Sequence, residues 1–528
     1  MELIVSHPTG GSVVRDYLAG RAEATTFYRR HFRDAASFAS KAVEVDERFD
    51  RSARARAVEA VSTPPGADAS RLERFVEQGG YMVTTGQQPG LYGGPLYSIY
   101  KALTAVRLAE ALESRLGKPV VPLFWVASDD HDWGEANHAD LIGVDNELHR
   151  FELDPPSADR APPLHRAVLG EEADEVLERF LGHLPETDFS RAYSDVLRAG
   201  YSAGGTLPKG FHTFMQELLG RFGLFFTDAV DPAVKESTAG LLLDEMGRAA
   251  ELEEVLRGTA AELTAAGYDV QVPILEGGVN LFLEGPAGRE RLYRDGDGYR
   301  LRTSNTLLTR DEVLAARTDD PSVLSPNVLL RPVVESALFP TLAYVGGPGE
   351  IAYFAQLGAY FEAHDMQMPV VYPRWSATPI ESKIRKVLDK FGVDLESMDR
   401  PFHEIASHFA RQEMPDAVGA ALGKLRGAIG AGAGDLQKAV SSLDPTLKGP
   451  VQHFRAQAFA ALDDVEKKVV QAVKRESEIA LAQLEKAQLH LFPGGKPAER
   501  VQSPLYFLTR YGDTFLDELH ERFAVNLE

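Results

Sequence analysis

A glycine-dense turn between a predicted strand and a predicted helix carries the densest group of candidate ligand contacts in this sequence. The run YMVTT at 81–85 predicts a buried strand, and apolar residues three and four apart predict a helix over 95–116. Glycines in such a turn allow backbone N–H groups to approach an anionic or polar ligand. The spacing fits neither the phosphate loop of ATPases nor the dinucleotide fingerprint, and a turn without a ligand is the alternative. The candidate residues here are Thr85, Gly86, Gln87, Gln88, Gly90, Tyr92, Gly94 and Tyr97 as binding residues and Lys101 as a catalytic residue.

A second polar cluster follows the near-continuous apolar run PVVPLFWV, which predicts a strand buried on both faces. In an extended segment Asp129 and His131 would point one way, and Asp130 and Asp132 the other. A carboxylate beside His131 would favour the imidazolium and orient the ring for acid–base work. Helix capping, salt bridges and divalent metal binding are the alternatives. We name His131 and Asp132 as candidate catalytic residues, Asp130 and His138 as candidate binding residues, and no residue as a metal ligand.

Charged residues also flank later predicted strands. The sequence predicts an apolar strand bounded by Arg331 and Glu335, where Arg331 would either clamp a carboxylate or pair with Glu335. Glu350 follows a second glycine turn, at a position that fits the positive end of a helix dipole. The candidate binding residues from these segments are Asn327, Arg331, Gly347, Gly349, Glu350 and Arg374.

Composition narrows the class of protein. The 528-residue chain has a net charge of −22, which opposes nucleic acids and anionic membrane surfaces. No apolar run reaches the roughly 20 residues of a membrane helix, so we expect no membrane partner and a cytoplasmic location. The absence of cysteine excludes disulfides, thiolate nucleophiles and thiolate-ligated metals.

The order of patterns predicts an α/β protein with a Rossmann-like parallel-sheet core over 1–378. This core has a helical N-terminal cover and a small inserted α/β region, the β-rich connection near 236–320. The proline-rich residues 152–165 predict a surface connection. Ligands are expected beyond the carboxyl ends of the parallel strands, where the polar loops lie.

From 379 to 492 the chain predicts a long α-helical coiled coil. Apolar residues follow a three-and-four spacing from Leu462 to Leu491, interrupted near Glu476. A helix of this length would pair antiparallel with helices from 402–440, either within one subunit or also across a homodimer. The last segment, 493–528, is expected to return to the core.

Four long motifs carry a resemblance to a known family. They are TTGQQPGLYGGPLYSIYKA (84–102), VPLFWVASDDHDWGEANH (121–138), SPNVLLRPVVESALFPTLAYVGGPGEIAYFAQL (325–357) and MPVVYPR (368–374). The sequence resembles the cysteine-adding enzymes of bacillithiol biosynthesis over essentially its whole length.

This resemblance implies a ligase that adds cysteine to glucosaminyl malate by amide formation on the sugar amine. It also implies a core related to nucleotidyl-transfer enzymes and a coiled coil that builds a homodimer. ATP with Mg²⁺ is the obvious route of activation, but the chain has no clear match to the HIGH and KMSKS motifs, so the cosubstrate stays open. A nucleotide-dependent transferase acting on another amino acid or sugar and a non-catalytic coiled-coil scaffold are the rival functions.

Overall fold

The computed structural model describes residues 1–156 and 160–528, which form two compact units. The larger unit comprises Leu3–Thr378 and Glu499–Glu528, and the helical unit comprises Met1–Glu2 and Pro379–Ala498. Residues 157–159, part of the predicted surface connection, lie outside the described residues. In the described ranges, no helix combines the length and the apolar character that crossing a membrane requires.

The strands, in chain order, are β1 (Glu2–Ser6), β2 (Tyr81–Gln87), β3 (Val120–Val126), β4 (His138–Ile142), β5 (Leu148–Glu152), β6 (Phe225–Asp228), β7 (Gly278–Gly285), β8 (Gly288–Asp295), β9 (Gly298–Leu301), β10 (Leu307–Leu308), β11 (Leu324–Pro326), β12 (Thr341–Gly346), β13 (Val370–Pro373) and β14 (Ser376–Ile380). The helices of the larger unit up to residue 363 are α1 (Ser12–Leu18), α2 (Ala22–Tyr28), α3 (Ala35–Arg48), α4 (Arg51–Glu59), α5 (Ser70–Glu77), α6 (Tyr97–Leu116), α7 (Trp133–Ala136), α8 (Glu172–Gly182), α9 (Ser190–Gly200), α10 (Leu207–Leu219), α11 (Pro232–Ser237), α12 (Ala239–Gly247), α13 (Ala249–Ala265), α14 (Arg310–Asp319), α15 (Arg331–Leu338), α16 (Pro348–Phe354) and α17 (Gly358–Ala363). The remaining helices are α18 (Ser382–Phe391), α19 (Phe402–Gln412), α20 (Asp416–Leu443), α21 (Lys448–Glu476) and α22 (Glu478–Leu491) in the helical unit, and α23 (Leu505–Tyr511) and α24 (Thr514–Arg522) in the larger unit.

A parallel five-stranded sheet forms the centre of the larger unit, in the order β13-β12-β2-β3-β6. All seven residues of β3 are buried, as expected for a strand covered on both faces. The chain adds β3 and β6 on one side of β2 and then β12 and β13 on the other, so the strand order reverses beside β2. Ligand sites in such sheets lie at the carboxyl ends of the strands at this reversal. The predicted Rossmann-like α/β core is confirmed.

One predicted strand is wrong. Arg331 and Glu335 do not bound an apolar strand, because residues Arg331–Leu338 form helix α15 and the strand is the later β12. Pro332 occupies the first turn of this helix, where a missing N–H costs no hydrogen bond. A short apolar run alone cannot distinguish a buried strand from a buried helix.

The inserted region contains an antiparallel sheet in the order β10-β9-β8-β7-β11. Its hairpin of β7 and β8 turns between Gly285 and Gly288, and β11 pairs with the opposite edge of β7. Because successive side chains of a strand alternate between faces, Arg289 and Arg291 of β8 share one face. Arg289 and Arg291 can therefore approach the same neighbouring surface.

The helical unit is built around an antiparallel hairpin of α20 and α21. Arg426 of α20 contacts Asp463 at 2.6 Å and Glu466 at 2.9 Å on α21. The long helix ends at Glu476 and α22 begins at Glu478, close to the predicted interruption. The predicted antiparallel pairing is therefore confirmed within one chain.

Candidate active site

A cavity of about 660 Å³ opens at the carboxyl ends of β2, β3 and β12, where the strand order reverses. This volume is within the range of small-molecule sites. The structure brings most of the predicted residues to its wall. They are Gly86, Gln87, Gln88, Tyr97, Lys101, Asp130, His131, Asn327, Arg331, Gly347, Gly349, Glu350 and Arg374.

Lys101 lies at the floor of this cavity with a side chain that is only 2% exposed. Its Nζ is 2.7 Å from Oε2 of Glu350, donates to the carbonyl oxygen of Gly86, and lies 3.3 Å from Oε1 of Gln87. Burial lowers the pKa of Lys101, while Glu350 opposes this shift by favouring the ammonium. The result is a buried cation whose position is fixed by three oxygen partners.

Glu350 joins the second glycine turn to this cation. Besides Lys101, its carboxylate accepts hydrogen bonds from the Gly347 N–H at 2.8 Å and from the Tyr344 hydroxyl. Burial alone would raise the pKa of Glu350, but Lys101 and the two donors bring it below its usual value. The predicted place of Glu350 at a helix N-terminus is confirmed, since it satisfies the first free N–H of α16.

His131 is held between a guanidinium and a carboxylate. Its Nδ1 lies 3.2 Å from Nη1 of Arg289 and 3.5 Å from Oδ1 of Asp130. The guanidinium nitrogen is closer and can only donate, so Nδ1 accepts and the neutral ring carries its hydrogen on Nε2. His131 in this arrangement offers a donor, Nε2–H, rather than a free acceptor.

Asp130 supports this arrangement from behind. Its Oδ2 accepts from the Gln88 side-chain amide at 2.5 Å, and its Oδ1 accepts from the His131 backbone N–H at 2.7 Å. Burial would raise the pKa of Asp130, but the charge of Arg289 and the hydrogen bonds from Gln88 and from the His131 backbone N–H hold it well below its usual value. The predicted alternation of the cluster is wrong: Asp129, Asp130 and His131 all line the cavity because the segment turns after β3.

Two predicted arginines line the cavity but already have carboxylate partners. Arg331 contacts Glu335 at 2.7 Å, the intramolecular pair considered as its alternative role. Arg374 binds Glu499 through both terminal nitrogens, at 2.9 and 2.7 Å. Such a bidentate pair fixes a guanidinium in place, and much of its charge is neutralised before any ligand binds.

The polar atoms of the Asn327 side chain are also hydrogen-bonded within the fold. Its Oδ1 accepts the N–H groups of Leu329 and Leu330, each at 3.0 Å, and its Nδ2 donates to Asn280 at 2.9 Å. The residue lines the cavity as part of the turn that precedes α15 rather than as a free polar group.

The outer half of the glycine turn does not reach the cavity. The Tyr201 hydroxyl donates to the Gly90 carbonyl oxygen at 3.1 Å and accepts from the Gly93 N–H at 3.0 Å. Gly93 has φ +89, and a Cβ there would lie 2.3 Å from the Phe214 ring. The expectation for Gly90, Tyr92 and Gly94 is corrected: this part of the turn packs into the protein interior, where Tyr92 contacts the Phe180 and Tyr201 rings.

Three further predicted residues lie outside the cavity wall. Thr85 donates its hydroxyl to the Val345 carbonyl oxygen at 2.8 Å, a contact between neighbouring strands. Asp132 caps α7 by accepting from the Glu135 N–H at 3.1 Å, so the capping alternative holds for this residue. His138 begins β4, and its Nδ1 is 3.2 Å from the Gly134 carbonyl oxygen.

Two protein-family models together match nearly the whole chain. Residues 2–375 match "Bacillithiol biosynthesis BshC, N-terminal Rossmann-like domain", and residues 377–526 match "Bacillithiol biosynthesis BshC, C-terminal coiled-coil domain". The chain belongs to the bacillithiol biosynthesis BshC family. The predicted resemblance is thereby confirmed.

Curated members of the BshC family align along most of this chain. Proteins from Salinibacter ruber and Symbiobacterium thermophilum, each named "Putative cysteine ligase BshC", are both 31% identical to it. These alignments cover 98% of this chain and 93% and 96% of the two relatives. A protein of the same name from Heliobacterium modesticaldum is 32% identical over 86% of this chain and 83% of its own length.

Sequence reasoning missed several residues of the cavity in this BshC family member. Arg289 and Arg291 come from the inserted sheet and Arg500 from the C-terminal segment. Because Arg289 and Arg291 are two residues apart on a strand, the sequence could have predicted that they share one face. It could not have predicted that this face packs towards the central sheet. Glu135 also lines the cavity, and burial, together with the charges of Asp132 and Asp130, raises its pKa.

The cavity wall is rich in cations. Six basic side chains face four acidic ones: Lys101 and five arginines against Asp129, Asp130, Glu135 and Glu350. Neither Arg291 nor Arg500 forms an ion pair with a carboxylate of the described chain. Arg291 donates through Nε to the Val279 carbonyl oxygen at 3.1 Å and through Nη2 to Asn280 at 3.2 Å, so its positive charge is oriented by the fold but not neutralised. Within residues 1–156 and 160–528, no three potential metal-ligand side chains of the cavity wall lie close enough together to hold one ion. The arrangement therefore suits carboxylate or phosphate groups.

Proposed function

We propose that this protein is a ligase that joins cysteine to glucosaminyl malate in the synthesis of bacillithiol, by amide formation on the sugar amine. The observation that carries this proposal is the cation-rich cavity at the strand reversal, in a chain that matches both BshC domains. The substrate that receives cysteine is a dicarboxylate, which the unpaired guanidinium groups of Arg291 and Arg500 would bind.

The cavity floor supplies the remaining groups that the reaction needs. Lys101, fixed by Glu350, would offset the negative charge of the cysteine carboxyl group as the amine attacks it. The Nε2–H of His131 would donate to the oxygen on which negative charge develops, while Arg289 holds the ring. Glu135, whose pKa is raised, is the carboxylate placed to take a proton from the attacking amine.

Amide formation requires activation of a carboxyl group. The new bond joins the cysteine carboxyl carbon to the sugar nitrogen, one carboxylate oxygen leaves, and the nitrogen loses a proton. We propose ATP with Mg²⁺ as the cosubstrate that accepts this oxygen, with AMP and pyrophosphate or ADP and phosphate as the by-products. The support is the presence of Arg291 and Arg500 in the cavity wall without carboxylate partners in the described chain, since guanidinium groups also bind phosphate.

A direct assay tests the proposal. Purified full-length protein is incubated with glucosaminyl malate and cysteine, with and without ATP and Mg²⁺, and bacillithiol and the nucleotide products are measured by mass spectrometry. We expect bacillithiol only in the presence of both substrates, with one nucleotide consumed per amide formed. Formation of bacillithiol without ATP would contradict the proposed cosubstrate but support the proposed ligase activity.

The same assay separates the rival functions. A panel of amino acids and amino sugars identifies a transferase of other specificity, since cysteine would then give no product and another amino acid would. A scaffold would turn over none of these mixtures. Absence of bacillithiol under every condition, with the protein folded, contradicts the proposed function.

We further propose that the helical unit forms a homodimer through the α20–α21 hairpin. Large apolar side chains are exposed along it: Leu425 by 51%, Leu436 by 47%, Phe454 by 56% and Val465 by 50%. The antiparallel pairing puts Leu425 at the level of Val465 and Leu436 at the level of Phe454. These two pairs of exposed apolar side chains form a surface on the hairpin that a second copy of the chain would cover.

Substitution of Leu436 and Phe454 by glutamate tests this dimer. Light scattering is expected to give twice the 57.8-kDa chain mass for the unmodified protein and the single-chain mass for the double variant. The control is Leu443→Glu, at an 82% exposed position at the end of α20, and it should remain dimeric. A monomeric unmodified protein would overturn the dimer.

A further inference from the structure

Three side chains outside the cavity converge in a way that the proposed reaction does not use. Asp145 lies in the turn between β4 and β5, His149 lies on β5, and His183 follows the last residue of α8. One ligand atom from each of them lies within 4.8 Å of the other two. We infer that these residues form a binding site for a divalent transition metal of the zinc class.

Hydrogen bonding prepares His183 as a ligand. Its Nδ1 lies 2.8 Å from the Arg179 carbonyl oxygen, and because a carbonyl can only accept, Nδ1 carries the hydrogen. The lone pair of the neutral ring is therefore on Nε2. Metal-binding histidines are commonly oriented by such a hydrogen bond from their second nitrogen.

A hydrogen bond already joins His149 to Asp145 at the position where the metal would bind. Nε2 of His149 lies 2.7 Å from Oδ2 of Asp145, and the carboxylate must be the acceptor. Zinc would take the place of this hydrogen on Nε2 while the neutral ring carries its one hydrogen on Nδ1, and it would bind both atoms at about 2.0–2.2 Å. Ligand atoms around tetrahedral zinc lie roughly 3.3 Å apart, so a small rotation of these two side chains is enough.

The backbone beside the cluster leaves room for these ligands. A Cβ on Gly143 would lie 2.7 Å from Oδ1 of Asp145, 3.2 Å from the His149 ring and 3.3 Å from the His183 ring. A larger residue here would displace the Asp145 carboxylate and crowd both imidazole rings. Asp145 is 43% exposed and His149 26%, so an ion can enter from solvent and a water can complete its coordination.

The ligand set selects the class of ion. Two imidazoles and one carboxylate suit Zn²⁺, Co²⁺, Ni²⁺ or Cu²⁺, whereas Mg²⁺ and Ca²⁺ prefer oxygen ligands alone. Bound metal would tie the β4–β5 hairpin to the C-terminal end of α8, and it would stabilise the folded chain by mass action.

The test uses the full-length protein without a histidine tag. Equilibrium dialysis against Zn²⁺ alone, followed by metal analysis, is expected to give one zinc per chain for the unmodified protein. His149→Ala and His183→Ala should each weaken binding by at least ~10-fold, a loss comparable to that from removing an orienting partner. His453→Ala, an exposed histidine of the helical unit, should bind as the unmodified protein does.

Two further measurements guard against misfolded variants and chance binding. Asp145→Asn changes one exposed oxygen and should weaken zinc binding while circular dichroism stays unchanged. Co²⁺ should give the visible absorption of a tetrahedral site in the unmodified protein and lose it in His183→Ala. No bound zinc in the unmodified protein, or equal zinc in the cluster variants and the unmodified protein, overturns the site.

Discussion

Replacement of Lys101 by methionine is expected to lower bacillithiol formation by about 10²-fold or more. The substitution keeps the unbranched apolar stem of the buried side chain but removes the cation at the cavity floor, and loss of one preorganised charge partner typically has an effect of this size. Initial rates of bacillithiol formation at saturating substrates measure it. A rate equal to that of the unmodified protein would remove Lys101 from the reaction.

The Lys101–Glu350 pair separates this catalytic effect from a structural one. Lys101→Met leaves Glu350 without its 2.7 Å cation and should lower the free energy of unfolding by about 3 kcal/mol. Adding Glu350→Gln removes the unpaired carboxylate, so the double variant should regain part of this stability. Its turnover should stay low. Recovery of both quantities together would show that Lys101 acts only through the fold.

Replacement of His131 by alanine is expected to lower turnover by about 10²-fold or more, because the donor that faces the cavity is lost. His131→Gln places an amide N–H near the position of Nε2, and it should retain more turnover than the alanine variant. The exposed His408 of the helical unit provides the matched control, and His408→Ala should leave the rate unchanged.

The comparison of the two His131 variants also identifies the role of the ring. A glutamine variant that is as slow as the alanine variant indicates proton transfer, since an amide cannot exchange a proton as imidazole does. An alanine variant that keeps the full rate excludes both roles. Arg289→Met should share part of the loss, because Nδ1 of His131 would lose its donor.

The sequence was most informative where local pattern and burial agree. The central strand β3 is apolar along its whole length, and every residue in it is buried, so its pattern had one interpretation. The segment after Asn327 had two possible interpretations, because a short apolar run fits either a strand or a helix. Tertiary packing made it helix α15. The interruption near Glu476 was predictable because the apolar spacing itself breaks there.

Half of the glycine turn could not be assigned from the sequence, since its partner lies far along the chain. Gly86, Gln87 and Gln88 line the cavity, whereas the N–H of Gly93 is satisfied by Tyr201, 108 positions away. The contact of Arg289 with His131 depends on how the inserted sheet packs, which no local pattern encodes. Long-range packing, rather than propensity, selects which polar residues face a ligand.

The pairing of Arg374 with Glu499 has a consequence for chains that lack the C-terminal segment. Glu499 supplies both carboxylate oxygens to a guanidinium that is buried in the cavity wall, and the adjacent Arg500 lines the same cavity. All five strands of the parallel sheet precede these two residues in the chain. A chain that ends before residue 499 has its strands but lacks part of its wall and keeps an uncompensated buried charge. The segment that begins at Glu499 is thus part of the site, and a chain truncated before it should be inactive.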